Sequence, residues 1–307
     1  MKVKVRYIMS LVDLAKRFQN RIEKENLPVI GIIVRDKENI LYEHMFKEVD
    51  NRNIFSHSKS FTSILIGYAV MEGYLTLDTR LVDVFSDMLD GSEDERLKEI
   101  KLRHLLSMSS GFNQQHLMGI VYDPTCAYPD YLKYMLKQKV EKTPGSTFCY
   151  SNGDTYLALR MMERCIGMSA QVYLYEKIFK PLDMGNPIVQ TDFQGRIFGA
   201  SGYVLSLQNQ AKIAKILLDL PQNDYFLQMK SRQVDTLCDE LSDHYGFQFW
   251  ISSKYKVYRA DGMWGQVTVV FEKEGQVISY QCLDNTDQAY ILKVFEEEVL
   301  IPRHKKQ

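Results

Sequence analysis

A chain of 307 residues with 45% apolar and 12% aromatic content holds ample material for a packed interior, which excludes disorder and points to one large α/β unit or two packed lobes. Its 38 Lys and Arg nearly balance 39 Asp and Glu, and no basic stripe interleaves with aromatics, so a nucleic-acid partner is not expected. Met1 to Arg6 offers no secretory signal and the longest apolar run, Ile64 to Met71, falls far short of a bilayer, so the expectation is a cytoplasmic protein without a membrane partner.

In chain order, Ser10 to Glu25 reads as an amphipathic helix, with Leu11, Leu14, Ala15, Phe18 and Ile22 on one face and Ser10 with Asp13 as a capping box. Pro28 is the expected stop. Val29 to Arg35 and Ile40 to Phe46 are strand-like and joined by Asp36-Lys37-Glu38-Asn39, a hairpin. Ile54 to Gly73 then reads as a buried helix with Ser56 and Lys59 in its first turn and Gly73 just past its end. From Tyr74 to Leu220 the pattern is mostly helical. It includes a short apolar helix around Leu102, Leu105 and Leu106 that ends at Ser109-Ser110-Gly111, then helices over 127–139, 154–165, 170–179 and 205–220, with turns at Pro144-Gly145 and Gly167.

The last third changes character. Tyr245 to Ile251, Tyr255 to Arg259, Gln266 to Glu272 and Gln276 to Leu283 are strand candidates, and Thr286 to Leu300 is a helix with Ile291, Val294, Phe295 and Val299 on one stripe. The fold class is therefore α+β: an antiparallel sheet built from N- and C-terminal strands, flanked by helices, with a large inserted helical lobe. Residues 1–50 and 240–307 would form the sheet lobe, 51–239 the helical lobe, with the active site between them. The five cysteines (Cys126, Cys149, Cys165, Cys238 and Cys282) are odd in number and lack C-x-x-C spacing, and there is no H-E-x-x-H, so reduced thiols and neither metal nor cofactor are expected.

Three segments collect the chemistry. In Ser56-His57-Ser58-Lys59, residues three apart on a helix share a face, so Ser56 and Lys59 can meet against apolar neighbours. A desolvated lysine loses its proton more easily and becomes a base for a hydroxyl. Being neutral near pH 7 requires about 4–5 kcal/mol of destabilisation of its ammonium. The same spacing recurs at Ser253 to Lys256 without a supporting context. His57 projects about 100° from Ser56 on a helix and reads as structural; His104 and Met108 read as core or cap positions. The second segment is Tyr150-Ser151-Asn152, which on its own reads as a loop aromatic and a helix-capping Asn. A cation beside Tyr150 would favour its phenolate. The third is Arg259-Ala260-Asp261-Gly262-Met263-Trp264-Gly265-Gln266, on its own a bulge between strands.

Taken together, these segments resemble, in order and spacing, the serine β-lactamase and penicillin-binding-protein superfamily: S-x-x-K, Y-x-N and a glycine-bearing strand motif. The resemblance runs from about Val29 to Val270 and is greatest to the branch of class C β-lactamases and related esterases and amide hydrolases. It includes Leu102 to Gly111, Pro144 to Phe148, Pro181-Leu182-Asp183-Met184 and Gly199-Ala200-Ser201-Gly202. It implies a β-lactamase/transpeptidase-like fold and a serine hydrolase working through an acyl-enzyme on Ser56, with Lys59 and Tyr150 sharing the proton traffic. It also implies an oxyanion hole from the backbone N–H groups of Ser56 and Met263, and substrate contacts from Asn152, Asp261, Gly262 and Trp264. The substrate would be a small ester, amide or peptide. Where the family usually carries Lys-Thr-Gly, this chain has Ala260-Asp261-Gly262, which disfavours an anionic β-lactam. β-Lactamase or D,D-peptidase activity is the second expectation, and a catalytically silent binding module of the same fold the third.

Overall fold

The computed structural model describes residues 9–118 and 129–305, so Met1 to Arg6, Cys126 and the start of the helix expected over 127–139 lie outside the described residues. Helix α1 (Leu11–Glu25) opens on the expected capping box, with Asp13 N–H donating to Ser10 Oγ at 3.1 Å and Ser10 N–H to Asp13 Oδ2 at 3.0 Å. It stops before Pro28. Asn26 takes a left-handed conformation, and its N–H bonds back to the Ile22 and Glu23 carbonyls. Strands β1 (Val29–Arg35) and β2 (Ile40–Met45) form the expected hairpin, and the Asp36 carboxylate accepts the N–H groups of Glu38 and Asn39 at 2.8 and 2.6 Å.

After β3 (Arg52–Asn53) the chain departs from the sequence expectation. Phe55 is left-handed at φ +47°, which a continuous α-helix cannot contain. Phe55–His57 therefore form a tighter 3-10 turn, and α2 (Ser58–Met71) begins two residues after Ser56. Then come α3 (Leu81–Val84), α4 (Leu102–Leu106), α5 (Tyr131–Leu136, capped by the Asp130 side chain), α6 (Asn152–Ile166, ended by left-handed Gly167) and α7 (Ala170–Leu174). The last of these widens into a π turn over Tyr175–Phe179.

Two short strands, β4 (Ile188–Val189) and β5 (Tyr203–Leu205), join β3 in a small sheet that the sequence pattern does not reveal. The single helix expected over 205–220 is instead the end of β5, α8 (Leu207–Ala211) and α9 (Ala214–Leu217), followed by α10 (Asp224–Met229). The strand expected over 245–251 is a hairpin. Here β6 (Val234–Asp235) and β7 (His244–Tyr245) precede β8 (Trp250–Ser252), and left-handed Gln248 turns the chain between β7 and β8. Strands β9 (Val257–Gly262), β10 (Gln266–Phe271) and β11 (Gln276–Cys282) follow, then α11 (Gln288–Phe295), a π turn over Glu296–Leu300 and α12 (Ile301–His304).

The large sheet is antiparallel throughout, in the order β2-β1-β11-β10-β9-β8-β7-β6, so strands from both ends of the chain pair as the α+β reading requires. One face is covered by α1 and α11, where the Phe18, Tyr280 and Phe295 rings meet with centroids 5.3–5.5 Å apart. The other face packs on α8 and on the helical core around α2 and α6. The second Ser-x-x-Lys copy falls in a turn ahead of β9, where Lys256 is left-handed and exposed. Among the described residues no helix is long and apolar enough to cross a membrane.

Candidate active site

Ser56 sits in the 3-10 turn between β3 and α2, packed against β9. Its turn is held from both sides: Phe55 N–H donates to Asn53 Oδ1 at 2.8 Å, and Ile54 N–H to the Tyr203 carbonyl at 2.9 Å. The end of β9 rests directly on it. A Cβ on Gly262 would lie 2.0 Å from the Ile54 carbonyl oxygen, so only glycine lets the strand approach this closely. The hairpin loop after Gly262 places Trp264, left-handed at φ +64°, edge-on against Phe55 with ring centroids 5.0 Å apart. Met263 lies half-exposed at its tip.

Lys59 is buried, and its Nζ has three oxygen neighbours: Asn152 Oδ1 at 2.6 Å, the Ala200 carbonyl at 2.7 Å and Ser56 Oγ at 3.1 Å. Burial disfavours its ammonium and lowers its pKa to about 7, while the nearby Asp261 carboxylate opposes the shift. A neutral amine has two N–H donors and one lone pair. Asn152 and Ala200 offer acceptor oxygens only, so they take the donors and leave the lone pair facing the Ser56 hydroxyl. The Asn152 orientation is set independently, because its Nδ2 donates to the Leu117 carbonyl at 3.2 Å.

Each partner is delivered by local structure. Asn152 is the first residue of α6, whose cap Ser151 accepts from Gly153 N–H at 3.2 Å. Ala200 lies between left-handed Gly199 and Gly202, and the Gly199 carbonyl accepts from Thr62 Oγ1 of α2 at 2.7 Å, which ties that loop to the lysine's own helix. Tyr150 stacks on Trp250 with centroids 5.6 Å apart and 14° between planes, its ring lies 4.9 Å from Lys59 Nζ, and Ser56 is close enough to act on its phenol, opposing the rise in its pKa. The expected phenolate does not arise. Burial, reinforced by Asp261, pushes the Tyr150 pKa well above its ordinary value, because the neighbouring amine no longer carries a full charge to offset desolvation.

Ser56, Lys59, Tyr150 and Asn152 thus lie together, the first two as their spacing allows and the others as the resemblance implies, with Gly262, Met263 and Trp264 alongside. Asp261 is held inside the protein by Arg259, its carboxylate 3.0 Å from the guanidinium, which also donates to the Leu241 carbonyl and to Ser242 Oγ. Arg259 shares the Asp261 side of β9 and faces away from Ala260, as strand alternation demands. His57 is fully buried and points at β10, and His104 accepts the Lys101 N–H at 3.2 Å as a cap. The sequence reading missed the Ala200 and Leu117 carbonyls and the aromatic wall of Trp250 and Tyr245. The first two are backbone atoms with no residue signature, although the Gly199 to Gly202 segment did stand out.

Comparison with known proteins bears on the fold and the family. The octameric penicillin-binding protein homologue from Pyrococcus abyssi superposes with a TM-score of 0.74 at 18% identity, covering 95% of this chain and 77% of that one. EstCE1, a hydrolase with promiscuous acyltransferase activity, gives 0.72 at 14% identity over 96% and 99%. At these identities the likeness establishes the fold. In sequence, a Dichelobacter nodosus protein described as a fimbrial assembly protein, FimD of serogroup D, is 28% identical over 120 residues, 38% of this chain and 29% of its own length. The chain thus spans under a third of the curated relatives it matches. The family model described as Beta-lactamase matches residues 14–282, and with that the chain belongs to the beta-lactamase family.

Proposed function

We propose that the protein is a serine hydrolase that cleaves an ester or amide bond of a small substrate through an acyl-enzyme on Ser56. The observation that carries this reading is the Lys59 amine, which loses its proton around neutrality and is directed at the Ser56 hydroxyl by two carbonyl acceptors. Lys59 takes the Ser56 proton as Oγ bonds to the substrate carbonyl carbon. The backbone N–H groups of Ser56 and Met263 receive the resulting oxyanion; loss of one such donor costs about 10²–10³ in kcat in enzymes of this kind. Tyr150, a neutral phenol, gives its proton to the departing oxygen or nitrogen and regains one from Lys59. Water then attacks the acyl-enzyme with the same groups in reverse roles. Asn152 orients Lys59 and contacts the acyl group, while Trp264 and Gly262 line its seat.

β-Lactamase or D,D-peptidase activity is the second reading, favoured by the family match. Against it stands the third motif, where the nearby cation, Arg259, is neutralised by Asp261 and leaves no free charge for a substrate carboxylate. A silent binding module has no use for an uncharged lysine beside a serine. The test is incubation with a short p-nitrophenyl ester and, separately, a fluorophosphonate, followed by mass measurement. A burst and an adduct on Ser56, both lost in Ser56→Ala, support the hydrolase. Turnover of a chromogenic cephalosporin at an enzyme-like rate supports the second reading, and a folded protein without any adduct supports the binder.

A further inference from the structure

We infer that His57 is a positioning residue for the oxyanion hole: through Thr268 it clamps the Ser56 turn to the strand pair whose hairpin carries Met263. This inference rests on the acyl-transfer reading above. The two proposed N–H donors come from different parts of the fold, Ser56 from the 3-10 turn and Met263 from the β9–β10 loop, so their separation is only as well defined as the contact between turn and sheet. The Gly262 approach supplies close packing there, but no direction. A directional tie is needed because left-handed Phe55 is a strained conformation that persists only where its surroundings fix it.

His57 supplies that tie, and every proton in it can be assigned. Ser60 Oγ donates to the His57 carbonyl at 2.7 Å, so its lone pair receives the ring Nδ1–H at 3.2 Å. The ring Nε2 must then be the acceptor, and it takes the Thr268 hydroxyl proton at 2.9 Å. Thr268 Oγ1 in turn receives from Ser279 Oγ at 2.8 Å on β11. Gln210 of α8 braces the same spot, with its Nε2 on the Val267 carbonyl at 2.9 Å and its Oε1 accepting from Gln281 at 3.0 Å. Burial lowers the His57 pKa to about 4, which keeps the imidazole neutral and this proton order unchanged across the neutral range. Thr268 pairs with Ala260, two residues before Gly262, so the clamp lies beside the strand end that leads to Met263.

The experiment compares Thr268→Val, His57→Phe, their combination and His57→Gln in hydrolysis of a short p-nitrophenyl ester and in inhibition by a trifluoromethyl ketone. The hemiketal oxyanion of that inhibitor requires the same two donors. Thr268→Val and His57→Phe are each expected to lower kcat about 10–100-fold with KM held within about threefold, the scale of a sub-ångström misplacement of reacting groups. Inhibitor affinity falls in step, the double variant is no worse than the weaker single, and His57→Gln recovers most of the loss. Wild-type kcat in folded Thr268→Val, additive effects in the double variant, or a fall in kcat with unchanged inhibitor affinity would each overturn the clamp. Wild-type protein inert to both the fluorophosphonate and the ester overturns the acyl-transfer reading and this inference with it. A reactive wild type with unaffected variants overturns this inference alone.

Discussion

Lys59 can act as a base only while it stays uncharged, and that condition makes the site a titrating one. The value of kcat/KM is expected to rise with pH through a midpoint near 7 as Lys59 sheds its proton. Tyr150, held protonated far higher, adds no falling limb below about pH 9. A pH–rate profile for ester hydrolysis checks this, and a flat profile from pH 5 to 9 would refute it. Stability carries the signature of several buried groups: His57 and His104, lowered to about 4, make it rise with pH up to about 6.5, and above that Lys59 and Asp154 dominate. An unfolded lysine keeps its proton up to 10.5 and the folded one only up to about 7, so in that window unfolding binds a proton and stability rises with pH. Asp154 works in the opposite sense. Burial raises its carboxyl to about 8 from 3.8, although Ser110 Oγ donates to it at 3.0 Å, so the folded state holds the extra proton and stability falls as pH climbs between those values. The slope is at most about 1.4 kcal/mol per pH unit. Asp154→Asn keeps the Ser110 partner and is expected to raise stability at pH 8 relative to wild type by more than at pH 4, measured as the difference in urea midpoints between the two proteins across pH 4 to 8.

Among the elements, β9 and the Ser56 turn are closely coupled. Gly262→Ala drives a Cβ into the Ile54 carbonyl, so β9 must back away from the Ser56 turn. The expected result is a fall in kcat of more than about 10²-fold with a lowered melting temperature, read by ester hydrolysis and calorimetry. This scale also shows what the sequence discloses. The capped α1 is legible because one helical period runs over its whole length, and β1 because it is an unbroken apolar run bounded by Pro28 and the Asp36–Asn39 turn. Ser56, Lys59, Tyr150 and Asn152 are legible because the family resemblance carries them as side chains at fixed spacings. The β7–β8 hairpin is not, because Phe247 and Phe249 are buried on either side of Gln248 and imitate a strand. The turn is made instead by left-handed Gln248 and by Gly246, whose Cβ would lie 2.1 Å from the Met229 carbonyl. Strands of two or three residues, as in the small sheet, are too short to show any period.

For the whole molecule, the sheet is the frame that carries the candidate site, and it forms only when both ends of the chain contribute. β1 lies between β2 and β11, and α11 buries Ile291, Val294 and Phe295 over the face that also receives Phe18 from α1. Removal of residues 284–307 leaves Ser56, Lys59 and Tyr150 untouched yet uncovers that face. The truncated chain is expected to aggregate or to lose cooperative unfolding, and with it labelling by fluorophosphonate. A soluble, fully labelled truncation would show that the helical part holds the site unaided.

Three stretches of chain distant in sequence, at 56, 152 and 200, meet on a single nitrogen. Any breathing motion that frees one of them admits water and returns the amine to its cationic form, silencing the hydroxyl beside it. Covalent capture at Ser56 would therefore count only molecules whose interior is shut, a head-count of intact copies in a mixed population.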